Sequence, residues 1–132
     1  MASPQPFGPE VLALDTQAET SRIAEWMVQV VATQLRRRGV VIALSGGVDS
    51  SVCGALAVRA FGPKKVYGIL LPEHDSSSSS ADRGREVAEH LGISYELFNI
   101  APALEGLGCS RQRDAAILAV VPAHADDCKC KI

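Results

Sequence analysis

Ser45-Gly46-Gly47-Val48-Asp49-Ser50-Ser51 combines two adjacent glycines, three hydroxyls and one carboxylate within seven residues. Those residue types suit the holding of a phosphate group. Glycine lets a backbone approach a ligand closely and adopt dihedrals closed to other residues. Serine hydroxyls donate to phosphate oxygens. A backbone turn that lines up several N–H groups makes an anion nest. Asp49 is the odd member, because a carboxylate repels phosphate. A divalent cation held by Asp49 and shared with phosphate oxygens resolves the conflict, and magnesium typically binds in this manner. The segment has no lysine at the G-x-x-x-x-G-K-[ST] position and no third glycine for G-x-G-x-x-G. The other account is a capped helix start, with Asp49 and Ser50 satisfying amides.

The elements around the loop decide its worth. Val40 to Leu44 is a short, β-branched apolar run between glycines, which predicts a strand buried on both faces, as in parallel sheets. A helix is expected from about Ser50 to Phe61, stopped by Gly62-Pro63. The loop thus joins a strand to a helix N-terminus, where unpaired amides and the helix dipole favour an anion. A second strand is predicted from Val66 to Leu71, and a third from Tyr95 to Ile100. Between them lie a polar loop with serines at 76–80 and a helix from Ser79 to Leu91, with Ser79 and Asp82 resembling a capping box and Gly92 as the stop.

Before the loop, Ile23, Met27, Val30, Val31 and Leu35 repeat at helical spacing, predicting one helix from Thr16 to Arg38. Asp15 or Thr16 caps it, Arg36 to Arg38 fill its last turn and Gly39 supplies a left-handed stop. Trp26 beside that stripe reads as a packing residue, with a subunit contact as a further use. Two short helices are expected near 102–107 and 111–121. Strands separated by helices predict a parallel α/β sheet of Rossmann-like form with flanking helices, small and incomplete at three strands. Residues 1–15 form an extended lead-in and 16–132 the domain.

Composition excludes several classes. A chain of 132 residues with net charge -2 lacks the basic surface of a DNA-binding protein. No apolar run is long enough for a membrane span, and the first residues do not form a secretory signal. Cys53, Cys109, Cys128 and Cys130 read as reduced thiols, which places the chain in the cytoplasm. Cys128 and Cys130 with His124 fall short of a closed zinc set.

Ser45 to Ser50 resembles the SGGxDS loop of the ATP pyrophosphatases. The longer run LSGGVDSSVCGALA at 44–57, the strand ending Leu70-Leu71-Pro72 and the Glu73-His74-Asp75-Ser76 loop are similar to NAD synthetase, as are residues 108–114 and 128–132. The resemblance implies the adenine nucleotide alpha-hydrolase-like fold and an ATP-dependent ligase. Such an enzyme adenylates the carboxylate of deamido-NAD, and ammonia displaces AMP to give NAD. It implies ATP and Mg2+ as co-substrate and cofactor, Ser45, Gly46, Gly47, Val48, Asp49, Ser50 and Ser51 around the pyrophosphate, Asp49 on the metal, and Leu70 and Leu71 at the adenine. It also implies a homodimer. Catalytic residues and the ammonia donor stay unassigned. NAD synthetases are longer than this chain, so a partial form is expected. Other readings are a further ATP pyrophosphatase, of the tRNA-thiolation or amidotransferase type, and a non-catalytic nucleotide-binding module. Glu73, His74 and Asp75 read as loop residues or as aids to the metal. Arg111 and Arg113 read as a solvated helix start or as phosphate ligands.

Overall fold

In the computed structural model, residue 8 and residues 13–73 and 78–121 are described. Three parallel strands form one sheet in the order β1-β2-β3: β1 is Val40–Ala43, β2 is Val66–Leu70 and β3 is Ser94–Leu97. Val40 pairs with Val66, and Tyr67 with Ser94. Helix α2 (Val48–Phe61) carries the chain from β1 to β2, and α3 (Ser78–His90) carries it from β2 to β3. Helix α1 (Thr16–Gln29) precedes the sheet; α4 (Ala101–Gly106) and α5 (Cys109–Val120) come after it.

The core is small and lies on one face of the sheet. Leu44, Val66, Leu70 and Ile93 meet Ala57 of α2 and Ala88 of α3. The glycines and alanines on the two helices allow close approach: a Cβ on Gly54 would sit 3.0 Å from Leu91, and one on Gly84 would sit 2.7 Å from the Leu44 carbonyl oxygen. Met27 brings α1 to the cluster's margin. The other face carries Val41, Tyr67 and Leu71, and Val41 is 66% exposed. The expected burial of the first strand on both faces is therefore corrected. Burial alternates along β1 and β2 because α2 and α3 pack on the same side. Continuous hydrophobicity showed that both faces are apolar, not that both are covered.

The first helix is shorter than its stripe. Asp15 caps it as expected, its Oδ1 accepting from the amides of Gln17 (3.1 Å) and Ala18 (3.0 Å). A π-helical turn, Val30–Gln34, then replaces the α-helix. The wider turn shifts the phase of the stripe: Val31 inside it is buried, whereas Leu35 just beyond it is 57% exposed. The left-handed stop falls on Arg36 (φ 52), so Arg36 to Arg38 lie beyond the helix. Gly39 is needed for another reason, since a Cβ there would lie 2.4 Å from the Lys65 carbonyl oxygen. Trp26 is 58% exposed, which corrects its reading as packing within this chain. It projects from α1 away from the side that carries Ala24 and Val31.

Gly62 (φ 77) and Gly92 (φ 65) end α2 and α3 as predicted. Helix α3 starts at Ser78, which puts Ser79 inside the first turn and corrects the capping box; the Asp82 carboxylate pairs with Arg85 instead. β3 starts one residue earlier and ends three residues earlier than expected, at Ser94 and Leu97. Its hydrogen bonding to β2 continues less regularly, through Phe98 N–H to Leu70 O (2.8 Å) and Ile100 N–H to Pro72 O (3.1 Å). His74, Asp75, His124, Cys128 and Cys130 lie outside the described residues. Cys53 and Cys109 are exposed thiols without a disulfide. No helix among the described residues is long and apolar enough to cross a membrane.

Candidate functional site

The loop between β1 and α2 closes on itself through its own hydroxyls. The Ser45 amide donates to Ser50 Oγ (3.2 Å), and Ser50 Oγ donates to the Gly47 carbonyl (3.1 Å). Ser45 Oγ lies 3.1 Å from Ser50 Oγ and accepts from the Gly47 amide (3.3 Å). Ser51 Oγ donates to the Gly47 carbonyl at 2.8 Å, beside the first α-helical bond from the Ser51 amide. The hydroxyls thus hold the loop's shape before any ligand arrives. Gly46 takes the left-handed conformation (φ 73) that turns the chain out of the strand. Gly47 is the N-cap of α2 and has no side chain to bond the first-turn amides. Those amides, of Val48, Asp49 and Ser50, project from a 14-residue helix with the positive end of its dipole behind them.

Asp49 stands in that first turn, exposed, with no hydrogen-bond or ion-pair partner among the described residues. The helix-capping account of Asp49 therefore finds no amide bonded to it. Ser50 does bond within the loop, to Gly47 and Ser45. The described residues contain no group of three or more His, Cys, Asp or Glu side chains arranged to hold a metal. One carboxylate beside an anion nest fits a cation shared with substrate phosphate oxygens, rather than one caged by protein.

Leu70 and Leu71 divide their tasks. Leu70 is 1% exposed, and its side chain belongs to the core. Its carbonyl accepts from Phe98. Leu71 is 37% exposed on the open face. Farther back along that face, the Tyr67 phenol donates to Glu96 (3.1 Å), and this bond, helped by burial, pushes its pKa above the usual tyrosine value. Arg113 pairs with Asp114, and the Arg111 guanidinium folds back over Gly108.

The structure adds a neighbour that the loop motif does not contain. A Cβ on Gly46 would fall 2.4 Å from Arg83 Cβ and 3.0 Å from both the Ser80 carbonyl oxygen and the Gly84 amide nitrogen. The first turns of α3 thus form one wall of the loop. Gly84, a glycine inside a helix, was the sequence signal for such an approach.

A parallel sheet with its helices in the crossovers, and a glycine-serine loop at the first of them, defines the Rossmann-like ATP pyrophosphatase class of fold. Residues 19–120 match the family model described as NAD synthase, and the chain belongs to that family. It is similar to the NH(3)-dependent NAD(+) synthetase of Mesorhizobium japonicum, 50% identical over 92% of this chain and 38% of the relative. The Rhizobium meliloti protein of the same name is 42% identical over 96% of this chain and 37% of its own length. Among solved structures, NMN synthetase from Francisella tularensis superposes with a TM-score of 0.66 at 27% identity, covering 76% of this chain and 41% of that one. The NH3-dependent NAD synthetase of Campylobacter jejuni, in complex with nitrate ion, gives 0.65 at 26% identity, covering 74% and 42%. The match therefore spans about two-fifths of the length of each of these four relatives.

Proposed function

We propose that the β1–α2 loop binds the phosphate tail of ATP for an ammonia-dependent, NAD synthetase-type ligation. Ser45, Gly46, Gly47, Val48, Ser50 and Ser51 surround the phosphates, and Asp49 holds Mg2+ against them. The supporting observation is that the loop's hydroxyls are spent on shaping the loop while the first-turn amides of α2 and the Asp49 carboxylate face outward. Backbone dipoles fixed in advance cost no reorganisation when charge develops on phosphate. The cation supplies charge neutralisation between two anionic reactants, the nucleotide and a carboxylate substrate such as deamido-NAD. Exposed Leu71 offers an apolar contact for the adenine at the carboxyl edge of the sheet, where open α/β sheets take ligands. Assembly as a homodimer and a cytoplasmic location accompany this reading as proposals drawn from the family resemblance.

Calorimetric titration of the chain with ATP, with and without Mg2+, tests the reading. Magnesium-dependent binding supports it, and Asp49→Asn should then remove most of the magnesium dependence while the fold persists. No binding of Mg·ATP at millimolar concentration would refute it. The ligation itself is read by NAD formation from deamido-NAD, ATP and ammonium.

A further inference from the structure

We propose that Arg83 of α3 is a phosphate-binding residue of the loop site, supplying from a separate element the cation that the loop itself lacks. The inference rests on the reading of that loop as the ATP phosphate site. Between Ser45 and Ser51 there is no lysine or arginine, and the one charged residue is Asp49. Amides and a single shared cation must therefore balance several phosphate charges unless a neighbour contributes.

The fold puts a neighbour there. The approach of Arg83 Cβ to Gly46 is so close that a Cβ on the glycine would lie 2.4 Å away. Arg83 thus leaves its helix directly beside the left-handed turn of the loop. Helical side chains lean towards the N-terminus of their own helix. Arg83 obeys that rule, because its guanidinium donates to Ser79 Oγ at 2.9 Å and to Ser80 Oγ at 3.5 Å, one turn back. Helices α2 and α3 each begin after a strand of the same parallel sheet, so both N-termini lie at its carboxyl edge. The guanidinium is consequently held at the edge where the α2 amides open.

Its partners fit the role. Arg85 on the same helix is neutralised by Asp82, and Arg113 by Asp114. Arg83 contacts two hydroxyls and no carboxylate among the described residues, and it is exposed. Two serines orient the planar fork without cancelling its charge, leaving N–H donors for phosphate oxygens. Gly46 and Gly84 both serve this approach, since a side chain on either would push α3 from the loop.

The test compares Mg·ATP binding by the full chain with that of Arg83→Gln, Arg83→Lys and, as a control on the same helix, Arg85→Gln. The melting transition of each ligand-free protein is recorded alongside. Loss of a charge-assisted phosphate contact should weaken Mg·ATP binding by at least about tenfold in Arg83→Gln. Arg83→Lys should recover part of the loss, and Arg85→Gln should bind as the parent does. Melting of the ligand-free proteins should be alike. Parental affinity in Arg83→Gln would overturn this assignment and leave the loop reading standing. A melting transition lowered in Arg83→Gln, with affinity lost to the same extent in Arg83→Lys, would make Arg83 a structural residue and also overturn it. Absence of Mg·ATP binding by the parent would overturn the loop reading and this one together.

Discussion

At Gly46 the sequence leaves almost no choice of residue. Its φ of 73° is strained for any side chain, and the space a Cβ would need is already filled by Arg83 Cβ and the α3 backbone. Gly46→Ala should therefore lower stability by about 1–3 kcal/mol, from the left-handed backbone together with displaced packing. Chemical denaturation of the two proteins would show it, and an unchanged midpoint would mean that α3 yields easily. Gly47 is a contrast: its φ is −81°, and the nearest atom to a Cβ there is Ser45 Oγ at 3.4 Å. Gly47→Ala should fold with near-parental stability, so any loss of Mg·ATP affinity in that variant would report the ligand's need for close backbone approach.

The strand–loop–helix unit was legible because its markers are local. Gly62 and Gly92 stop helices by adopting positive φ, and Asp15 starts one by accepting two amides. Asp15→Ala should cost about 1 kcal/mol, measurable as a lower melting midpoint, and Asp15→Asn should restore most of it. The end of the first helix was not legible. A π-turn follows the α-helix there, with Val31 buried inside it, and the repeat of Leu35 at helical spacing gave no warning of it. The capping box failed likewise, because the helix starts at Ser78 and leaves Ser79 inside its first turn, while Asp82 pairs with Arg85. Site residues on the loop could be read from their order, whereas Arg83 could not, because it lies 37 positions from Gly46 (83 minus 46) and meets it only through the crossover.

Across the molecule, the sheet has one filled face and one open one. Leu70, fully buried between α2 and α3, should lose about 2–5 kcal/mol on replacement by alanine, a large share of the stability of a domain this size. Val41, 66% exposed on the opposite face, should tolerate lysine with a change within about 0.5 kcal/mol in the isolated chain. Equilibrium unfolding of both variants checks the asymmetry, and a Val41→Lys variant as unstable as Leu70→Ala would mean that the second face is covered in solution.

By itself, the order of residues determined the alternation of strands and helices, the parallel class of sheet and the place of the glycine-serine loop at a helix start. Hydrophobic period, helix stops and the chemistry of serine and glycine all act over a few positions, and a linear chain records them directly. Tertiary structure alone decided which face of the sheet is filled, that Trp26 and Leu35 stay outside the core, and that Arg83 stands beside Gly46. Those outcomes depend on where crossovers return the chain and on which helices share one side of a sheet. Such packing relations link residues tens of positions apart; a helical glycine such as Gly84 marks that a close approach occurs, but not which residues meet.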